Sequence, residues 1–115
     1  MYGRIAFLAA AAFVMASGAQ ESRAASVSCD QANSPAEYSI CTGWRLQQLD
    51  AMMSRKFYAL VDRAPKTWTY RLRHEQRRWV VQRDSCKFDR ACLRKQYRTR
   101  IHELDKWARK FDLNL

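Results

Sequence analysis

Cys29, Cys41, Cys86 and Cys92 have the clearest chemical reading in this 115-residue sequence. Eleven residues separate the first two and five separate the last two. These gaps are wider than the C-x₂₋₄-C spacing of a structural zinc site. No C-x-x-C pair offers dithiol redox chemistry. An even cysteine count in a small chain reads as two disulfides if the compartment is oxidising. Pairing Cys29 with Cys41 and Cys86 with Cys92 closes two short loops at expected helix ends. Cys41 with Cys86 competes, because antiparallel helices bring such positions together. The two His-Glu pairs, His74-Glu75 and His102-Glu103, do not extend to H-E-x-x-H: Arg78 and Lys106 stand where the second His would be. They read as exposed helical histidines. No Ser or Cys has a base at a recognisable spacing, and a chain with three glycines carries no phosphate loop. Glycosidase chemistry needs two carboxylates across a cleft, which a bundle of this size does not provide. The sequence therefore points to no catalytic, cofactor-binding or metal-ligating residues, and to a non-enzyme.

Polar residues that interrupt apolar stripes are more informative. Asp50 follows Leu49, Gln76 and Arg83 break the inner face of one helix with Asp84 beside them, and Arg100 precedes Ile101. Polar groups near a core require partners. The expectation is a structural network over Asp50, Gln76, Arg83, Asp84 and Arg100 that joins Asp50 to Arg83 or Arg100.

The elements that would position these groups are helical. Residues 1–19 read as a secretory signal peptide: Arg4, an uncharged apolar run from Ile5 to Ala16, then Ser17, Gly18 and Ala19. Cleavage as late as residue 25 also fits, and an uncleaved anchor is the competing reading. Export places the chain in the periplasm or outside the cell, with no transmembrane span in its mature part. Residues 20–33 read as a linker. Ser34-Pro35-Ala36-Glu37 then resembles a capping box with Pro at the first helical position. It opens a helix to about Arg63 with the stripe Ile40, Trp44 or Leu46, Leu49, Met53, Phe57 and Leu60. Gly43 is a weak point in that helix, costing about 1 kcal/mol against Ala. Ala64-Pro65 ends it. A second helix spans Thr67 to Asp84. A third, capped by Asp89, runs from Arg90 to about Phe111 with the stripe Leu93, Tyr97, Ile101, Leu104 and Ala108. The expected fold is all-α: a small three-helix, up-down-up bundle over residues 34–112, stapled by two disulfides.

The net charge of +10 is unevenly placed. Gln20 to Asp62 carries four bases and five acids, whereas Arg63 to Lys110 carries 16 bases and five acids. Such a surface attracts polyanions. Arg71, Arg73, Arg77 and Arg78 lie near Trp68, Tyr70 and Trp79 in a pattern that resembles a nucleic-acid surface. Export argues against that partner and favours anionic envelope polymers or membrane headgroups.

Three segments carry a family likeness. The first is Cys29-x-x-Ala32-x-Ser34-x-x-Glu37-x-x-Ile40-Cys41, followed by Leu46-x-x-Leu49-Asp50-x-x-Met53-x-x-x-Phe57. The second is Gln76-x-x-Trp79-Val80-x-x-Arg83-Asp84-x-Cys86. The third is Cys92-Leu93-x-x-x-Tyr97-x-x-Arg100-Ile101-x-x-Leu104. Over residues 29–104 the chain resembles the bacterial exported domain named for the lysozyme inhibitor LprI. Ser34, Met53 and Phe57 are mild departures, standing for Thr, Leu and Tyr. The resemblance implies a small helical, disulfide-bonded envelope protein, with lysozyme or another envelope protein as partner and inhibition as the activity.

Overall fold

A computed structural model describes residues 26–115. The signal-peptide assignment and its candidate cleavage positions lie outside the described residues. A 3-10 turn at Cys29–Gln31 is followed by α1 (Pro35–Thr42) and α2 (Trp44–Arg63). A second 3-10 turn, Lys66–Trp68, leads into α3 (Thr69–Asp84), and α4 (Arg90–Lys110) completes the fold. No strand occurs among the described residues.

Among the described residues there are four α-helices where the periodicity suggested three, because the expected first helix is broken at Gly43. Its backbone is extended, with φ −112° and ψ 110°. Gly is a poor helix former, and local side chains take over the carbonyls that the break exposes. Gln47 Nε2 donates to the Cys41 carbonyl at 2.5 Å, and the Thr42 hydroxyl lies 3.4 Å from the Ser39 carbonyl, which has lost the Gly43 N–H. The start of α1 follows the sequence signal. Ser34 Oγ accepts from the Glu37 N–H at 3.1 Å, and Pro35 is the first helical residue. The Glu37 carboxylate accepts from the Ser34 hydroxyl at 3.1 Å, where a capping box would have it reach the Ser34 backbone.

Part of the stretch expected as linker is folded. Val27 is buried, and the Cys29–Gln31 turn is tied to α1 by the Cys29–Cys41 disulfide, with Cα atoms 5.6 Å apart. Cys86–Cys92 closes the connection between α3 and α4 at the same Cα separation. Ala64 and Pro65 end α2 in extended backbone, as expected from the Pro effect on its predecessor. Asp89 caps α4 by accepting from the Cys92 N–H at 3.0 Å. The far end of α4 closes on Asp112 at φ 55°, with the Leu113 N–H donating to the Ala108 carbonyl at 2.8 Å. This is the left-handed C-terminal stop, here without glycine.

α2 and α4 run parallel. Asp50 meets Tyr97, Lys56 pairs with Asp105 at 2.7 Å and Arg63 reaches the Asn114 carbonyl at 2.6 Å, so contacts advance together along both helices. α3, which connects them in the chain, runs the other way, which makes α2–α3–α4 the up-down-up unit. α1 packs against α2 and α3 at one end. The core contains Ile40, Leu46, Met53, Leu60, Leu72, Leu93, Tyr97 and Leu104, all essentially inaccessible. Leu46, not Trp44, takes the inward position at the start of α2, while Trp44 remains 64% exposed. At the opposite end Trp68, Trp107 and Phe111 pack with ring centroids 5.2–5.7 Å apart.

Cross-links matter in a core this small. Removing Cys29–Cys41 by a double Cys→Ala change is expected to cost about 3 kcal/mol, and removing Cys86–Cys92 slightly less because its loop is shorter. Urea denaturation of the two oxidised variants beside the parent measures both losses.

Candidate functional site

The buried polar residues form two clusters between the helices. In the first, the Asp50 carboxylate from α2 is 2% exposed. It accepts from Tyr97 Oη at 2.9 Å, from the Ser26 N–H at 2.9 Å, from the Ser26 hydroxyl, and from the Val27 N–H at 3.4 Å. Arg83, at the end of α3, donates to Asp84 from Nε at 2.9 Å and to Ser26 Oγ from Nη1 at 3.1 Å. Its guanidinium also lies 5.6 Å from the Trp79 ring centroid, and Trp79 meets Tyr97 edge-on at 5.2 Å. The Ser26 hydroxyl thus bridges Asp50 and Arg83, which make no ion pair with each other.

The second cluster centres on Arg100. Its Nε donates to Gln76 Oε1 at 2.9 Å and its Nη1 to Glu103 at 3.1 Å, while Gln76 Nε2 lies 3.1 Å from Met53 Sδ. Arg100 does not reach Asp50. Its Nη2 and the Ser54 hydroxyl are buried without a partner among the described residues. The five residues expected in one network lie in two clusters, and neither Arg83 nor Arg100 contacts Asp50 directly. Sequence reasoning also missed Ser26 and Tyr97. Tyr97 was visible only as an apolar stripe position, and Ser26 lay in an apparent linker.

Charge states follow from these surroundings. Burial raises the Tyr97 phenol well above its usual range, and the neighbouring Asp50 carboxylate raises it further. The phenol therefore remains protonated and serves as a fixed donor. Burial works against the Arg83 cation, but the neighbouring Asp84 and Asp50 carboxylates favour it, and its pKa is raised. These groups are sealed under packed helices, where they position structure.

The outer surface has a different character. Between α2 and α4 runs a groove of about 330 Å³, lined by Trp44, Arg45, Leu49 and Met52 on one side and Arg94 and Arg98 on the other. The Arg45 guanidinium lies 5.6 Å from the Trp44 ring centroid. Among the described residues no carboxylate lines this groove. A second groove of about 370 Å³, between α3 and α4, contains Glu75 and Glu103 beside Arg78 and Arg100. Its charges balance internally, and the Trp107 indole N–H donates to Glu75 at 3.0 Å. The α3–α4 connection projects Phe88, 65% exposed, next to Lys87 in the left-handed region at φ 53°. Its far side is anchored where Arg90 Nη2 donates to the Thr42 hydroxyl at 3.0 Å. His74 and His102 are exposed, as their helical positions suggested. Trp79, counted in the basic-aromatic pattern, is buried. Among the described residues no group of three His, Cys, Asp or Glu side chains forms a metal-binding cluster.

The family model for the lysozyme inhibitor LprI matches residues 28–104. The chain belongs to the LprI family. The match spans α1, α2, α3 and most of α4, and it includes all four cysteines and both buried clusters except Ser26 and Val27. No curated protein and no solved structure matches the chain. An LprI-family chain with two disulfides points to an extracytoplasmic protein. No helix among the described residues is long and apolar enough to cross a membrane.

Two substitutions probe the first cluster. Asp50→Ala leaves the donors of Ser26, Val27 and Tyr97 without their acceptor, at a cost of about 3 kcal/mol. Thermal unfolding followed by circular dichroism should show a Tm lower by roughly 10–20 °C. Tyr97→Phe tests the raised phenol. Above about pH 10 an unfolded tyrosine releases its proton while folded Tyr97 retains it. Its contribution is thus fully present below pH 10 and is lost as pH rises, by about 1.4 kcal/mol per unit. Urea titrations between pH 8 and 11.5 should show a flatter alkaline decline for Tyr97→Phe than for the parent.

Proposed function

We propose that this protein is an exported, non-enzymatic member of the cell envelope, periplasmic or secreted, that inhibits a lysozyme by occupying its substrate cleft. The family match over residues 28–104 carries this reading. The structure is compatible with an inhibitor that acts by covering. Its polar groups with perturbed pKa values, Tyr97 and Arg83, are enclosed in the core and unavailable to a substrate. Its exposed aromatic and basic side chains stand on helices held by disulfides and buried hydrogen bonds. A rigid surface loses little conformational entropy on docking, which favours binding without chemistry.

The test is a muramidase assay with the purified, oxidised mature chain. A short neutral oligosaccharide is the appropriate substrate, because a cationic protein cannot protect it by coating it as it would an anionic cell wall. Hydrolysis is expected to fall as the protein approaches and passes equimolar ratio to the lysozyme. Undiminished hydrolysis at large excess would overturn the proposal.

A further inference from the structure

The groove between α2 and α4 combines four features that are not found together elsewhere on the described surface grooves. Its three guanidinium groups, on Arg45, Arg94 and Arg98, have no facing carboxylate, and none of them forms an ion pair among the described residues. Trp44 and Met52 are exposed beside them. The supporting helices are the most extensively packed pair in the fold, with Leu46, Leu93 and Tyr97 fully buried in them. Finally, the break at Gly43 lets α2 begin with Trp44 directed to solvent while Leu46 enters the core. Trp and Arg are the side chains that most often dominate interface energetics, provided that a scaffold holds them still. Unpaired guanidinium groups select carboxylates, which they bind through parallel hydrogen bonds.

From these observations we infer that the Trp44–Arg45–Arg94–Arg98 groove is the surface that docks on the carboxylate-bearing cleft of the inhibited lysozyme. The inference rests on the inhibitory reading above and specifies where inhibition resides. A lysozyme performs its chemistry with two carboxyl groups flanking the scissile bond, in a cleft shaped for sugar rings. The guanidinium groups supply the counter-charge to such carboxylates. The Trp44 indole supplies a flat apolar surface where the cleft accepts a sugar face. The neighbouring α3–α4 groove lacks this complementarity, since Glu75 and Glu103 would meet the enzyme's carboxylates with like charge.

The experiment compares four oxidised proteins in the neutral-substrate assay: the parent, Trp44→Ala, the double variant Arg94→Glu/Arg98→Glu, and a control, Arg73→Glu/Arg77→Glu. The control makes the same change in net charge on exposed positions of α3. All substitutions except Arg94 lie at exposed positions, and circular dichroism melts establish that each variant is folded. Trp44→Ala and the α4 double variant are each expected to raise the half-inhibitory concentration at least tenfold, with the control within about twofold of the parent. An active parent with unaffected groove variants would overturn the groove assignment and leave the inhibitory function standing. Equal losses in the control and the α4 variant would also overturn it, since net charge would then be responsible. An inactive parent would instead remove the inhibitory reading itself.

Discussion

A carboxylate taken out of water needs donors, and the Asp50 side chain gathers them from distant parts of the chain. Tyr97 supplies its phenol from α4, Ser26 and Val27 supply backbone N–H groups from the N-terminal segment, and the Ser26 hydroxyl carries the link on to Arg83 at the end of α3. An uncompensated charge at this depth would cost several kcal/mol. Satisfying it requires α2, α3, α4 and the N-terminal segment to adopt one mutual arrangement. The apolar core tolerates substitutions that keep its volume, whereas each donor in this set has a defined position. The set links α2, α3, α4 and the N-terminal segment, and its Asp50–Tyr97 bond lies where parallel α2 and α4 meet.

That arrangement determines what the surface displays. With the inward sides of α2 and α4 committed to Asp50, Tyr97 and the apolar stripes, Trp44 and Met52 are left facing solvent beside Arg94 and Arg98. The charge of +10 consequently has two components. The general excess of bases on α3 and α4 sets the long-range field, which governs encounter rates. The unpaired arginines beside Trp44 set local complementarity, which governs what stays bound. On the α3–α4 groove, by contrast, acids and bases already neutralise one another.

Much of this fold was legible in the residues. Apolar spacing located the helices within a few positions, and Pro35, Asp89 and Pro65 marked starts and a stop that the structure reproduces. The break at Gly43 was visible only as a weakness. A single glycine costs about 1 kcal/mol in a helix, so tertiary contacts decide whether the helix continues, and here α1 must turn to pack against both α2 and α3. Trp44 follows Ile40 by four residues and Leu46 precedes Leu49 by three, so the period alone did not choose between them. Their environments separated only once the backbone between them was known. Ser26 was illegible for another reason: a serine in a polar stretch gives no sign that a buried carboxylate lies 24 residues along the chain.

The sequence by itself determined the helical class, the cysteine content and the presence of polar residues that had to be satisfied inside a core. These are local or compositional properties, expressed through periodicity, capping chemistry and the cost of burying unpaired groups. Tertiary structure alone decided which donor satisfies which acceptor, where the first helix breaks, and that Trp44 stands outside among arginines. Those outcomes depend on distances between segments far apart in the chain, and no local preference encodes such distances.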